Sequence, residues 1–538
     1  MKKGFTLIEL LAVIVILAII ALIATPLILN VIDEAKKGSF KNSAYGIVQT
    51  AELKYTQDTL SGNEGEATFT YVDGVETSNV DGKKLDYKGS KPQNGVVKIN
   101  NNGEVALALH DGKYCALKSY SQSSVTVIEV PKDECNLVEE IAYSDFNVLK
   151  GVNKPKLATG MTPIKWNETE WVDTTESDLE WYDYSTKKWA NAKTEDGSFW
   201  VWIPRYAYQI ADGYHTSETG TINIKFLIDK TNNTIDAVPI ATTPLYSGDS
   251  QTNYVSHPAF KFGDNNVTGI WVAKFEPTAV EGLDNATVGD NVTTKTVKII
   301  PNVQSWQYIT AGNAYEVVMN MKEKTDVYGW NASEIDTHMM KNTEWGAVAY
   351  LSKSIYGMNE QEIWINPNSD YITGCAGNSA AEAGSTICNE YHTVNGVKTS
   401  TTGSVYGVYD MVGGASERMF ANYENNEAMS GIDPSTVLDK YIDRYGGDNR
   451  GYNDSVYGDA VYETSLGATY NGSSWEGNTT GGWYGDTSRM PFSTGAWFFR
   501  GGRYSSGTSA GVFAYYISDG GSISGNTFRP VLLVGEGL

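Results

Sequence analysis

The feature that most constrains this chain is a long apolar segment at its N-terminus, MKKGFTLIELLAVIVILAIIALIATPLILN. Residues Phe5 to Leu29 are almost all apolar, and as a helix they would extend about 37 Å, which is enough to cross a bilayer. Lys2 and Lys3 precede them, so the positive-inside rule predicts a cytoplasmic N-terminus with the rest of the chain outside. The apolar run is longer than that of a secretory signal and continues into an amphipathic helix through about Tyr55.

A single acidic residue, Glu9, lies one turn inside this apolar helix. An ionised carboxylate within a membrane costs about 3 kcal/mol, and the helix offers no nearby positive charge to offset it. Cleavage of the chain before Phe5 would create such a charge, because the new amino group could pair with Glu9 in the same subunit or in a neighbour. The alternative is a plain membrane anchor with an incidental glutamate.

The sequence KKGFTLIELL resembles the class III leader of type IV pilins and pseudopilins. The resemblance implies that prepilin peptidase cuts after Gly4 and that Phe5 becomes the N-methylated first residue. Glu9 then matches the glutamate that guides assembly by pairing with the N-terminus of another pilin subunit. Pro26 matches the proline that kinks or locally melts the pilin helix. The implied location is the cell membrane, with a single span, and after assembly the pilus or the cell surface.

Charge and cysteine content limit the kinds of partner, disulfide bridge and metal site that the chain can have. Acidic residues outnumber basic ones by 64 to 41, and the formal charge of −23 argues against nucleic acid as a partner. Four cysteines allow three connectivities, but they fall into two close pairs that a change in composition separates. We therefore expect bridges between Cys115 and Cys135 and between Cys375 and Cys388. Neither pair has the Cys-x-x-Cys spacing of a zinc or redox site, and the histidines are scattered, so no metal site is predicted.

Two domains are predicted behind the helix. The first alternates apolar and polar residues between Gly, Asn and Asp turns, which predicts a small β-rich head that resembles pilins in layout only. All 14 tryptophans occur from Trp166 onward, and this change in composition marks the second domain. The predicted segments are a leader (1–4), the transmembrane and assembly helix (5–55), the β-rich head (56–146), a linker (147–163) and the second domain (164–538).

The second domain is rich in Gly, Asn, Tyr and Trp, and we expect short strands, few helices and long loops. GSFWVWIPRYAYQI is a predicted strand, with Pro204 at an edge or a bulge. The clearest helix is predicted over Lys341–Gly357, with Asn342 or Thr343 as its N-cap. The fold class of the chain is therefore α+β.

The order of three motifs resembles the formylglycine-generating-enzyme-like (sulfatase-modifying-factor) branch of the C-type-lectin fold. GSVYGVYDMVGGASERM is similar to that family's glycine-rich segment, FFRGGRY to its Arg-Gly-Gly-Ser-Trp strand, and NTFRPVLLV to its closing Gly-Phe-Arg strand. The resemblance covers roughly residues 160 to 538. It implies a C-type-lectin-like second domain.

The departures from that family argue against catalysis. Its oxidase chemistry uses cysteines in the C-terminal part of the domain, and no cysteine follows Cys388, so a thiolate nucleophile or copper ligand is missing. Glu417 aligns with the family's glutamate, but Ser416 and Arg418 replace its flanking tryptophans, so Glu417 is predicted to be a core or turn residue. No cofactor is predicted, and structural calcium in the acidic loops of residues 439–459 stays an alternative.

The C-terminal stretch between the apolar ends FFRGG and FRPVLL consists of Tyr, Ser, Gly, Asp and Asn without a hydrophobic period. This is the composition of recognition loops, in which tyrosine gives rigid contact area and small polar residues give adaptable hydrogen bonds. A glycine-rich surface loop is the alternative. The residues predicted to point outward and bind a ligand are Tyr504, Ser506, Tyr515, Tyr516, Ser518, Asp519, Ser522, Ser524 and Asn526.

The same stretch resembles the variable region of proteins that retroelements diversify. In those systems the adenines of Asn codons mutate, and the resulting set of residues excludes Lys, Glu, Gln, Met and Trp. None of these five occurs between Arg503 and Phe528. The favoured function is a minor pilin-like subunit that displays a non-catalytic domain for an unknown protein or glycan ligand. The alternatives are a structural pilin or pseudopilin with a bulky extra domain and, disfavoured, an enzyme of the formylglycine-generating type.

Overall fold

The computed structural model divides the chain into two compact units, residues 1–143 and 144–538. Side chains of the first helix are described at Asp33 and from Ala35 onward. The residues that the structure describes are 7–60, 66–80, 84–100, 102–120, 125–135, 137, 145–148, 150–280, 293–446, 456–464, 469–471, 473–477 and 481–535.

The first unit combines one long helix with a six-stranded antiparallel sheet. Helix α1 is Leu7–Leu60. The strands are β1 Ala67–Val72, β2 Val75–Ser78, β3 Asn94–Ile99, β4 Val105–His110, β5 Tyr114–Lys118 and β6 Thr126–Glu129. They lie in the order β2-β1-β3-β4-β5-β6, so a β-rich head follows the helix as predicted.

The C-terminal half of α1 packs on this sheet through one apolar side. Its buried residues recur every three or four positions, as expected of an amphipathic helix: Phe40, Ala44, Ile47, Val48 and Ala51. Asp33 adds a polar anchor, because its carboxylate accepts hydrogen bonds from Lys113 Nζ and the Tyr114 hydroxyl at the β4–β5 turn. Helix and sheet therefore share one core.

The predicted membrane span, Phe5–Leu29, lies outside the described side chains. Among the side chains that are described, no helix has the length and apolar content that crossing a membrane requires. The backbone of α1 is helical through Pro26 and ends at Leu60, five residues beyond the predicted end at Tyr55.

The second unit is built from many short strands and three described α-helices. The helices are α2 Ala311–Met319, α3 Thr325–Tyr328 and α4 Asn342–Ser352. The strands are β7 Phe146–Asn147, β8 Val152–Asn153, β9 Thr162–Trp166, β10 Trp171–Asp173, β11 Asn191–Lys193, β12 Phe199–Pro204, β13 Tyr206–Ile210, β14 Ile222–Phe226, β15 Ile240–Ala241, β16 Tyr246–Ser247, β17 Ser250–Gln251, β18 Tyr254–Ser256, β19 Lys261–Phe262, β20 Asn265–Asn266, β21 Gly269–Ala273, β22 Thr278–Ala279, β23 Val297–Lys298, β24 Ile335–Met339, β25 Ser416–Tyr423, β26 Asp443–Tyr445, β27 Thr469–Tyr470, β28 Trp475–Glu476, β29 Trp497–Gly501, β30 Gly511–Ser518, β31 Asn526–Phe528 and β32 Pro530–Val534.

Two sheets carry most of this unit. A seven-stranded sheet has the order β10-β9-β11-β12-β21-β32-β24. A second sheet has the order β26-β25-β29-β30, with β31 pairing with β25. Strand β32 lies between β21 and β24 in the seven-stranded sheet, whereas β31 belongs to the second sheet. The two strands are separated by one residue, so the chain passes directly from one sheet to the other there.

Three local features differ from the sequence-based expectation. The segment 147–163, expected as a linker, belongs to the second unit, where β7 pairs with β8 and Asn153 is fully buried. The strand predicted over 197–210 is divided at Arg205 into β12 and β13, which lie in different sheets. Helix α4 ends at Ser352, before the predicted end at Gly357. The Ser352 carbonyl accepts hydrogen bonds from the N–H groups of Met358 and Asn359 instead of continuing the helix.

Both predicted disulfides are confirmed. Cys115 on β5 bonds to Cys135, which follows β6, and so clamps the edge of the first unit's sheet. Cys375 bonds to Cys388 and closes a surface loop of the second unit.

A buried histidine is held between two carboxylates where β24 meets the start of α4. His338 Nδ1 lies 3.1 Å from Asp336 Oδ1, and His338 Nε2 lies 2.9 Å from Glu344 Oε1. Burial alone would lower the pKa of His338, but the carboxylates of Glu344 and Asp336 raise it to about 9. The other oxygen of Glu344 accepts the Lys341 N–H at 2.9 Å, which caps α4. The charged histidine therefore joins strand and helix.

We predict that His338 makes the second unit less stable at alkaline pH. Because its folded pKa of about 9 exceeds the ordinary 6.5, its stabilisation is complete below pH 6.5 and is lost as the pH rises through 9. The free energy of unfolding should fall over this window by on the order of 1–3 kcal/mol from this residue. Urea titrations read by tryptophan fluorescence report this unit alone, since all 14 tryptophans lie in it.

The matched control is His392, which is solvent-exposed. His338→Gln should flatten the decline, and His392→Gln should keep it. Equal slopes in wild type and His338→Gln would contradict the assignment.

Candidate functional site

The stretch predicted to bind a ligand folds as two loops on either side of strand β30. The β29–β30 loop spans residues 502–510, and the β30–β31 loop spans residues 519–525. Strands β29 and β31 both pair with β25, and β30 pairs with β29. A single sheet therefore fixes both ends of each loop, while the loop side chains are free to differ.

Tyr515 and Tyr516 lie on opposite faces of β30, so the prediction that both point outward is wrong for Tyr515. Successive side chains on a strand alternate between its two faces. Tyr515 is 0% exposed, and its ring lies 5.7 Å from the Arg500 guanidinium. Tyr516 is half-buried on the other face, next to the Phe499 ring, and its hydroxyl is 2.8 Å from Ser416 Oγ. The sequence-based prediction treated this stretch as a loop and therefore did not apply the alternation of a strand to the two adjacent tyrosines.

Ser518 and Asn526 are also buried, and their predicted outward orientation is wrong. Ser518 is 5% exposed, and its hydroxyl oxygen accepts the Gly520 N–H at 3.0 Å, which forms the turn after β30. Asn526 is 2% exposed and lies opposite Ser416 of β25. Ser518 is the last residue of β30 and Asn526 is the first residue of β31, so both side chains pack within the framework on either side of the turn.

The other six predicted residues keep solvent access. Ser524 is exposed, and the remaining five are half-buried: Tyr504, Ser506, Tyr516, Asp519 and Ser522. Two of them also shape the loops. Ser506 Oγ accepts the Arg503 N–H at 3.1 Å, and Asp519 Oδ1 accepts the Gly521 N–H at 2.9 Å.

Residues far away in the sequence complete this surface. The Tyr371 ring packs edge-on against Tyr504, with 5.0 Å between ring centroids. Gln307 Oε1 accepts the Gly525 N–H at 2.7 Å, and the Tyr308 N–H donates to the Ile523 carbonyl at 3.3 Å. Tyr308 is 36% exposed and Ile523 is 47% exposed. Sequence reasoning missed Tyr371, Gln307 and Tyr308 because no local pattern marks them.

The second disulfide supports the rim of the same surface. The loop that it closes contains Gly384, whose N–H donates to the Tyr504 carbonyl at 3.1 Å. Residues 378–381 of this loop are exposed. The β29–β30 loop therefore rests on a covalently closed neighbour.

Arg418 ties the β30–β31 loop to the sheet below it. Its guanidinium lies over the Phe499 ring, 5.2 Å from the ring centroid, and donates to the Gly521 carbonyl. Arg418 is 1% exposed, so it positions the loop rather than presenting a charge to a partner.

A buried ion pair lies behind this surface. The Arg529 guanidinium donates to both carboxylate oxygens of Glu417, with 2.8 Å between Nε and Oε2. Burial raises the pKa of Glu417 to about 7, and the charge of Arg529 opposes this shift. Glu417 is 1% exposed and already paired, so of the two predicted environments, core and turn, the structure shows the core.

The described side chains can be set against the requirements of a metal site and of a reactive thiol. They contain no cluster of three acidic, histidine or cysteine groups that could hold a metal ion. Residues 447–455 of the acidic loops, where calcium stayed an alternative, lie outside the described residues. All four cysteines of the chain are in disulfides, so none is a free thiolate.

We predict stability losses of different size for two tyrosines of the stretch. Tyr515→Ala removes a fully buried ring and should lower the free energy of unfolding by about 3–5 kcal/mol. Tyr504→Ala removes a half-buried ring at the surface and should lower it by about 1 kcal/mol or less. Urea unfolding measures both, and a larger loss for Tyr504→Ala would contradict the assigned orientations.

Comparison with known proteins identifies the N-terminus. Residues 1–25 match the family model of the prokaryotic N-terminal methylation motif. Among curated proteins, no match to the chain is found. The match confirms the predicted pilin-type leader, and the motif implies processing by prepilin peptidase and assembly with other pilins. The chain therefore carries a pilin-type N-terminal methylation motif, which supports a pilin- or pseudopilin-type surface protein.

Proposed function

We propose that this chain is a minor pilin-like subunit that displays a C-type-lectin-like second unit outside the cell for adhesion or recognition. The observation that carries the proposal is the methylation motif at residues 1–25, which supports assembly with other pilins. The ligand is a protein or a glycan on another surface.

The two loops beside β30 support a binding role. They present Tyr504 and Ile523 in partly exposed positions between strands whose ends are fixed, and Tyr308 of a distant segment lies beside Ile523. Aromatic and aliphatic side chains that are held in place in this way supply most of the energy of protein interfaces. Ser506, Ser522 and Ser524 add small polar groups that can adapt to a ligand.

The absence of a free thiol favours display over catalysis. The enzyme family that the second unit resembles uses cysteine chemistry, and here Cys375 and Cys388 are joined to each other. Glu417, at the position of that family's glutamate, is occupied by Arg529. We therefore propose a non-catalytic unit.

Diversification of the C-terminal segment is a further part of the proposal. Exposed loops on a fixed sheet can change sequence without loss of the core. A reverse transcriptase gene next to a near-copy of the coding segment for residues 504–526 would support it.

Assembly through Glu9 is the first test. Glu9→Ala should still enter the membrane, but it should be absent from sheared filaments because no carboxylate pairs with the neighbouring N-terminus. Immunoblots of membrane and sheared fractions measure this. Glu52→Ala, at an exposed position of α1, is the matched control and should assemble normally. Normal incorporation of Glu9→Ala would refute the assembly role.

Binding by the loop surface is the second test. The purified full-length protein is applied to an array of extracellular proteins and glycans, as wild type and as the Tyr371→Ala/Tyr504→Ala double variant. Binding should weaken by about tenfold or more, as for the loss of interface anchors. The control pair is Ile235→Ala/Leu245→Ala, which changes exposed apolar residues in the connections of another sheet. A wild-type protein that assembles normally and binds nothing would favour the structural alternative.

A further inference from the structure

Asn-x-Ser/Thr triplets, the acceptor pattern for N-linked sugars, are confined to the second unit. Nine occur after residue 143, and none occurs before it. Five of their asparagines lie within the described part of the chain: Asn167, Asn232, Asn266, Asn331 and Asn471. The triplet alone is a weak signal, so the side-chain geometry decides which asparagine can react.

Asn167 lies at the tip of the β9–β10 hairpin. Its N–H donates to the Glu170 carbonyl at 3.0 Å, which closes the loop. Below the tip, Trp166 and Trp171 are paired across the strands, with 5.7 Å between their ring centroids. All four tip residues, 167–170, are exposed. The hairpin therefore presents the asparagine on a firmly held projection that an enzyme can reach.

The side-chain amide of Asn167 is oriented by its own triplet. Its Oδ1 accepts from the Thr169 hydroxyl at 2.8 Å, from the Thr169 N–H at 3.0 Å and from the Glu170 N–H at 2.9 Å. Within the residues that the structure covers, its Nδ2 donates no hydrogen bond. The hydroxyl that defines the triplet thus contacts the amide, and the nucleophilic nitrogen faces solvent.

The other four described asparagines lack this combination. The Nδ2 atoms of three of them donate to protein acceptors: Asn266 to the Lys230 carbonyl, Asn331 to Glu334 and Asn471 to Glu476. The fourth, Asn232, accepts from Arg205, and the hydroxyl of its Thr234 is buried and bonded to Val238. The first three would have to break the Nδ2 hydrogen bond before they could react, and the triplet of Asn232 keeps its hydroxyl buried.

We propose that Asn167 is a site of N-glycosylation. The glycosyl donor is a lipid-linked sugar phosphate or pyrophosphate at the outer face of the membrane. Asn167 Nδ2 forms a bond to the anomeric carbon, the bond from that carbon to the phosphate oxygen breaks, and the lipid phosphate leaves with the electron pair. The proton lost from Nδ2 passes to a base of the transferase.

This proposal rests on the export of the second unit, and it is independent of ligand binding by the loops beside β30. Because Asn167 projects from the hairpin, a glycan there would add bulk without entering the core.

Mass spectrometry of the full-length protein from its producing cells tests the site. Cleavage after lysine separates the peptide of residues 166–187, which contains Asn167, from the peptide of residues 325–341, which contains Asn331. We expect the first to carry a glycan mass and the second to be unmodified. Thr169→Val and Asn167→Gln should abolish the shift, and Thr169→Ser, which keeps the hydroxyl, should retain it.

Protease treatment of intact cells separates the two proposals. If the second unit is digested from outside but the 166–187 peptide is unmodified, the glycosylation proposal is overturned while display stands. If the unit is protected inside the cell, display itself fails. A glycan that survives Thr169→Val would also overturn the proposed role of the triplet.

Discussion

Arg529 holds the two main sheets of the second unit together. It lies between β31, which pairs with β25, and β32, which lies inside the seven-stranded sheet. Its guanidinium donates to Glu417 of β25, to the Ala273 carbonyl of β21 at 2.6 Å and to the Tyr409 carbonyl at 2.9 Å. One fully buried side chain thus satisfies acceptors from both sheets.

This arrangement is energetically demanding. Burying an ion pair gains little net stability. The loss of one partner, however, leaves an uncompensated buried charge and lowers the free energy of unfolding by about 3–5 kcal/mol. The surrounding acidic groups, Glu276 and Asp410, are also buried, and burial raises the pKa of each. The position of Arg529 is therefore tightly determined, and with it the geometry of the sheet that carries the loops beside β30.

Separate hydrogen bonds to the sheet and to neighbouring segments position the two loops. In the β30–β31 loop, the side chain of Arg418 binds the Gly521 carbonyl, and the side chain of Gln307 binds the Gly525 N–H. In the β29–β30 loop, the backbone of Tyr504 is hydrogen-bonded to the backbones of Gly384 and Gly414. Most of these contacts use main-chain atoms of the loops. Side chains such as Tyr504, Ser522 and Ser524 can therefore change without loss of the contacts that position the backbone, as a recognition surface requires.

The sequence by itself determined the pilin-type leader, the two disulfides and the β-rich character of both units. Those features follow from local composition, charge and the spacing of a few residues. Only the tertiary structure decided that Tyr515 is core while Tyr516 faces outward, that residues 147–163 are part of the second unit, and that Tyr308 and Tyr371 join the loop surface. The physical reason is that which face of a strand is buried, and which distant segments meet, depend on strand pairings between residues far apart in the chain, and no local pattern records them.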